Sequence, residues 1–332
     1  MTHVLITGGA GYVGALLTPR LLQAGYRVSV YDIMYYGRDH LPPVPGLRVI
    51  PGDIRDTAKL AAAFEGVDQV IHLACISNDP SFELDEALSK TINLDAFEPM
   101  VKAAKAAGVK RFIYASSSSV YGVSDAPDVT EEHPKNPLTL YSRFKLDCEE
   151  ILWRHQSAGF VCVTLRPATV CGFSPRQRLD LSVNILTNHA VNNGRIRVFG
   201  GSQLRPNLHI ADMCDAYRLF LEAPDAKVAG QTFNIGYENL SIMAIAERVR
   251  QVVAQEFPDR PEVPIVVEPT NDLRSYHVNS DRVAEVMGFR PRHTVEEAIR
   301  DLCRAFKGGL LPDSMTDQRY FNVATMKALK AS

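Results

Sequence analysis

Thr7-Gly8-Gly9-Ala10-Gly11-Tyr12-Val13-Gly14 is the stretch that decides the fold. It follows a β-branched apolar run at residues 3–7 and opens an amphipathic stretch at residues 14–24, so the glycines fall between a strand and a helix. Two spacings are satisfied at once, GxxGxxG through Gly8, Gly11 and Gly14 and GxGxxG through Gly9, Gly11 and Gly14. Glycine is needed where the backbone must turn tightly, lie close to a diphosphate and let the helix pack on the strand. The helix N-terminus then offers free N–H groups to the anion. The stretch reads as a dinucleotide site.

Residues 27–31, 47–51, 68–74, 111–116 and 161–165 repeat the strand pattern, and helical spacing of apolar residues recurs at 56–64 and 86–107. Strands alternating with helices imply right-handed crossovers and an α/β fold, a doubly wound parallel sheet covered on both faces. Residues 1–166 form this unit. From residue 167 to 305 glycines and prolines punctuate helices at 182–192, 212–222 and 241–256, the texture of a smaller substrate-binding lobe. Residues 205–240 are expected to lend a strand, 232–235, back to the main sheet. Residues 306–332 lack strong periodicity and read as a surface tail or an arm over a neighbour.

Asp32 closes the second strand 18 residues after Gly14, near the spacing of about 20 at which an acidic residue meets the adenosine ribose hydroxyls. A 2′-phosphate would face that carboxylate directly, which favours NAD over its phosphorylated form, although Arg38 stands nearby. Asp53, in Gly52-Asp53-Ile54 after the third strand, is placed to accept from the adenine amino group. Ile33 and Ile54 adjoin these two carboxylates.

Bulk properties narrow the rest. Of the 332 residues, 46% are hydrophobic and 22% charged, the values of an ordinary globular chain. The net charge of -2 provides no field for nucleic acid or an anionic membrane. The start, MTHVLITGG, leaves no room for a signal peptide, and no run of about 18 apolar residues occurs. Six cysteines without CxxC spacing indicate free thiols and no structural metal. A cytoplasmic protein is expected.

Tyr141-Ser142-Arg143-Phe144-Lys145 sets a phenol and an ammonium four apart on one helix face. A neighbouring cation favours the phenolate of a tyrosine that would otherwise be a poor base at neutral pH. At the end of the fifth strand stands Tyr114-Ala115-Ser116-Ser117-Ser118-Ser119-Val120-Tyr121-Gly122. With these, the glycine fingerprint, HLA at 72–74, RP at Arg166 and RPNLHIxD at 205–212 resemble the extended short-chain dehydrogenase/reductases. Within them they resemble the NAD-dependent nucleotide-sugar epimerase/dehydratase branch, over residues 3–305 in the same order and spacing.

That resemblance implies that Ser117 hydrogen-bonds the reacting sugar oxygen, with Ser116 and Ser118 as rivals. It makes Tyr141 the acid/base, and Lys145 the residue that orients the nicotinamide ribose and lowers the tyrosine pKa. It places Gly8, Gly11, Tyr12, Val13, Gly14, Asp32, Ile33, Asp53, Ile54, Leu73, Ala74, Asn93, Tyr141 and Lys145 along NAD. It sets Ser77, Ser117, Ser119, Thr169, Asn184, Arg205 and Arg274 on the nucleotide sugar, the two arginines gripping its diphosphate. Thr169 stands where epimerases often carry Asn. Residues 176–184 should roof the substrate, in no assigned order of importance. Cys75, Cys171, His72 and His209 read as packing residues. A homodimer through the helices at 86–107 and 141–157 is also implied.

Members of this branch first oxidise a sugar carbon and differ in the fate of the ketone. Dehydratases place Asp-Glu, and decarboxylases Glu, directly after the active-site hydroxyl. Here Ser118 and Ser119 stand there, so the expectation is return of the hydride to the other face of the sugar, an epimerisation at C4. A sugar reductase or dehydrogenase of the same fold stays open as the alternative. The intact Ser117, Tyr141 and Lys145 set argues against a non-catalytic NAD-binding protein.

Overall fold

A computed structural model of the chain describes residues 1–270 and 275–331. Strands β1 (His3–Thr7), β2 (Arg27–Asp32), β3 (Leu47–Pro51), β4 (Gln69–His72), β5 (Arg111–Ala115) and β6 (Val161–Pro167) carry the β-branched runs of the first half. β7 (Thr169–Cys171), β8 (Ile196–Phe199) and β9 (Leu204–His209) follow in the second half, and β10 (Gln231–Ile235) returns to the main sheet beside β6. The main sheet is parallel throughout, in the order β10-β6-β5-β4-β1-β2-β3. Its strands are apolar on both faces because helices cover both. Leu17, Val28, Val30, Phe220 and Phe233 fill one side, and Leu5, Tyr31, Phe97, Met100 and Phe112 the other.

The strand order reverses between β1 and β4, the point at which an open α/β sheet leaves a crevice at its carboxyl edge. The second lobe stands over that crevice. It is built from helices Ser182–Asn188, Ile242–Glu256 and Val295–Lys307 around Val198, Ile245, Val249 and Ile299. Two small sheets complete it. β11 (Glu238–Ser241) pairs antiparallel with β9, which pairs parallel with β7, and β12 (Ile265–Glu268) pairs parallel with β8.

Two expectations need correction. The helix read at 86–107 is broken: Glu86–Lys90 and Phe97–Ala106 are α-helical, with a π-helical turn at Thr91–Asp95 between them. An inserted residue is a device often found beside functional sites. Here the turn holds Asn93, whose amide accepts from Ile76 N at 2.8 Å and donates to Ile76 O at 2.9 Å. Periodicity alone carries no mark of it. The segment after residue 306, read as a tail or an arm over a neighbour, folds back on its own chain as helix Asn322–Ala331, with Asn322 and Met326 against the crevice.

Candidate active site

The crevice is a cavity of about 490 Å³, within the range of small-molecule sites. Its floor is the glycine turn. Gly8 sits at φ +73°, and a Cβ there would lie 2.5 Å from Ala74 N, so the turn and the end of β4 are pressed together. A Cβ on Gly14 would meet Gly9 O at 2.4 Å, fixing helix Tyr12–Gln23 against the turn. Above Gly11 the space is open except for Gly8 O at 3.1 Å. These are the contacts expected of a cradle whose free side faces a ligand.

Asp32 closes the turn from β2. Its carboxylate accepts from Ala10 N at 3.0 Å and Met34 N at 2.8 Å. Burial pushes its pKa up while those two amides pull it down. A carboxylate has about four acceptor positions, so two remain for hydroxyl groups. Ile33, Ile54, Leu73, Ala74, Tyr12 and Val13 line the same floor. Asp53 lines it too, but its carboxylate is held by the Arg55 guanidinium at 2.5–3.0 Å. Burial works against that charge, and the Arg55 bonds outweigh it and lower the pKa.

The chemistry stands at the carboxyl ends of β5 and of the crossover to helix Leu140–His155. Thr139 caps that helix through Ser142 N at 3.2 Å, which orients Tyr141 and Lys145 into the cavity. Lys145 is buried; its Nζ donates to Ala115 O at 2.7 Å and lies 5.8 Å from the Tyr141 ring centre. Of the serines, Ser116 gives its hydroxyl to Glu149, itself paired with Arg166 at 2.6 Å. Ser118 is 2% exposed. Ser117 is more open, accepts from Ser119 N at 3.1 Å, and lies 2.9 Å from Ser119 Oγ. From there hydroxyls continue through Ser142 (2.8 Å) and Thr139 (3.0 Å) to Asp79 (2.6 Å).

Lys145 is expected to draw the Tyr141 phenol down together with the positive nicotinamide ring, and the side chains around the phenol set the background on which that field acts. Burial raises the phenol well above its ordinary value, Cys75 and Asp79 add to the rise, and Arg178 opposes it.

The roof is where sequence reading fell short. Asn184 is not among the residues that line the cavity. It is fully buried, accepts from Gly172 N at 3.0 Å, and donates to Arg178 O at 2.8 Å and Tyr12 Oη at 3.1 Å, so it supports the loop before it. Asn93 likewise spends its amide on Ile76, behind the cofactor wall. Ser77, Ser119, Thr169 and Arg205 line the cavity, with the Arg205 guanidinium 5.3 Å from the Tyr276 ring centre. Arg274 lies outside the described residues.

Arg176, Arg178 and Asp180, unranked members of the segment expected to form the roof, make the ceiling together with Asn322, which the sequence left unassigned. Arg178 pairs with Asp180 at 2.9 and 3.2 Å. Despite burial, that pairing holds the carboxyl below its usual range. Asp180 also accepts from Asn322 N at 3.1 Å, and Asn322 Nδ2 donates to Ser77 Oγ at 2.9 Å. The spacing Arg-x-Arg-x-Asp inside a flagged segment was the available signal for the loop; Asn322 had none. His72 behaves as a packing residue, with Nδ1 2.6 Å from Thr7 Oγ1 and burial driving its pKa down to about 3. All six cysteines are free. Among the described residues no cluster could hold a metal, and no helix is long and apolar enough to cross a membrane.

A model of the NAD dependent epimerase/dehydratase family matches residues 4–236. The chain belongs to this family. NAD is therefore its cofactor, and the glycine cradle with Asp32 at its edge fits that molecule. The chain is 30% identical to a UDP-glucose 4-epimerase of Mycolicibacterium smegmatis, over 92% of this chain and 98% of that one. It is 28% identical to one of Lactobacillus helveticus, over 89% and 94%. Among solved structures it is similar to MoeE5 in complex with UDP-glucose and NAD, with a TM-score of 0.77, 27% identity, and coverage of 93% and 99%. The fold also matches a UDP-glucose 4-epimerase of Thermotoga maritima at a TM-score of 0.82 and 23% identity, over 93% and 100%.

Proposed function

We propose that this chain is an NAD-dependent nucleotide-sugar epimerase that inverts C4 through a transient keto-sugar. The observation that carries the reading is one cavity joining the glycine cradle to Ser117, Tyr141 and Lys145, with hydroxyls and no carboxylate directly after Ser117. The similarity to 4-epimerases along nearly the whole chain supports it.

Bound NAD supplies the hydride acceptor and donor. Tyr141 exchanges the proton of the sugar hydroxyl, and Ser117 hydrogen-bonds the same oxygen so that the hydroxyl is aimed at the phenol. Lys145 Nζ, fixed by Ala115 O and 5.8 Å from the Tyr141 ring centre, would orient the nicotinamide ribose. The nucleotide end of the substrate lies toward Arg205, whose guanidinium suits a diphosphate. Of the carboxylates lining the cavity, Asp180 is engaged by Arg178 and Asp79 by Thr139. That leaves inversion through the ketone as the simplest outcome.

The test is a panel of nucleotide sugars incubated with the protein in D₂O. The expected product is the C4 epimer without carbon-bound deuterium and without net NADH absorbance. Stoichiometric NADH would move the assignment to a dehydrogenase, and deuterium at C3 or C5 to an enolising epimerase.

We further propose a cytoplasmic homodimer. Helices Phe97–Ala106 and Leu140–His155 pack side by side, and Leu140 and Trp153 are exposed. A single monomer peak by light scattering at micromolar concentration would refute the dimer.

A further inference from the structure

Arg176 is an unusual side chain for its place. It is 5% exposed, yet its Nε has no hydrogen-bond partner. Among the described residues its one hydrogen bond to a side chain is from Nη2 to Asn322 Oδ1 at 2.7 Å, a neutral acceptor. The guanidinium lies 3.7 Å from the Tyr36 ring centre, which supports it from one side. The nearby carboxylates are committed elsewhere, Asp180 to Arg178 and Asp32 to the amides of Ala10 and Met34. A buried guanidinium without a carboxylate is not kept for stability, because desolvating the charge is repaid only when an anion completes the site.

The position of the loop says which anion. Ser174 Oγ donates to Tyr12 O at 2.6 Å, and Tyr12 Oη donates to Gly172 O at 2.6 Å. Residues 172–178 are thereby tied down over the first turn of helix Tyr12–Gln23. Arg176 lines the cavity together with Gly11, Tyr12 and Val13, the start of that helix. On the other side, His40 Nε2 lies 2.9 Å from Ala10 O.

We infer that Arg176 is the counter-ion of the cofactor's diphosphate, reaching it from the second lobe while Asn322 of the C-terminal helix holds the guanidinium in place. The dinucleotide is then clamped between the glycine cradle and a roof made by residues remote in sequence. Such a clamp suits a cofactor that stays bound through the cycle. The inference rests on the cofactor site and not on which sugar is turned over, so it is tested by binding alone.

Calorimetry on the full chain, freed of co-purified nucleotide, compares adenosine, ADP, NAD⁺ and NADP⁺ with wild type, Arg176→Met and Asn322→Asp. Methionine keeps the apolar packing on Tyr36 and removes the charge. Asn322→Asp leaves the arginine in place and gives it an internal carboxylate, so it serves even if Arg176→Met folds poorly. Both variants are expected to weaken ADP and NAD⁺ by at least tenfold and to leave adenosine within twofold, with Arg176→Lys recovering part of the loss. Unchanged ADP and NAD⁺ affinity overturns the inference. So does an equal fall for adenosine, which would make Arg176 a prop for the ribose floor. An effect confined to NADP⁺ overturns it as well, since the guanidinium would then face the ribose 2′ position.

Discussion

The floor and the roof of the cavity are built on different principles. The floor consists of strand ends and two helix starts within residues 7–145, where each residue acts through its own backbone position: Gly8 by its φ, Gly11 by an absent Cβ, Tyr141 and Lys145 by helical spacing. The roof is made of Arg176, Arg178, Asp180, Ser77 and Asn322, drawn from three distant segments and joined by hydrogen bonds. A site whose geometry is local can be read locally. One whose members meet only through tertiary packing acquires its meaning from its neighbours, and the contrast predicts different responses to substitution.

The largest effect is expected on the floor at the reacting atoms. Tyr141→Phe should lower turnover by about 10²-fold or more, the scale of removing a positioned acid/base, with NAD binding and melting temperature nearly unchanged. Wild-type turnover by the variant on its true substrate would remove Tyr141 from the chemistry. In the cofactor-free chain the phenol is held up by burial, so ultraviolet difference titration against this variant should find no Tyr141 phenolate below the ordinary tyrosine value near ~10.

Next come the glycines, which separate architecture from ligand contact. Gly8→Ala must accommodate a side chain at positive φ and within 2.5 Å of Ala74 N, at a cost of about 1–3 kcal/mol. Gly11→Ala meets only Gly8 O at 3.1 Å and should keep the melting temperature while weakening NAD⁺. If denaturation found the two variants equally destabilised, the open side of the cradle would not be above Gly11.

Asp32→Ala should reduce the preference for NAD⁺ over NADP⁺ by roughly tenfold, the effect of about 1.4 kcal/mol in differential binding. Tighter NADP⁺ than NAD⁺ binding in the unmutated chain would overturn the role given to this carboxylate.

The smallest effect is expected at Asp180, the carboxylate of the roof. Asp180 has its folded pKa depressed, with burial opposing and Arg178 prevailing. Its contribution is therefore complete above the unfolded value near ~3.9 and is lost as pH falls through the folded value. Asp180→Asn should cost on the order of 1 kcal/mol at neutral pH and flatten the acid limb of the stability curve. An acid limb identical to wild type would mean that the pair with Arg178 does not hold the roof.

The sequence by itself determined the doubly wound parallel sheet, the glycine cradle, Asp32 at the end of the second strand, and the helix that carries Tyr141 and Lys145, because strand alternation, helical spacing and glycine requirements are local constraints written in consecutive residues. It also held β10 as a returning strand, since the run at 232–235 has strand character wherever it pairs. Only the tertiary structure decided that Ser117 stands open while Glu149 takes the hydroxyl of Ser116, a choice made by a helix 33 residues away. It turned Asn184 and Asn93 from ligand contacts into supports, by giving each a backbone to satisfy. It also brought Asn322 within 2.7 Å of Arg176, across 146 residues. No pattern of neighbours in the chain encodes that meeting, because a buried cation and its holder are selected by the cavity they share and not by their spacing.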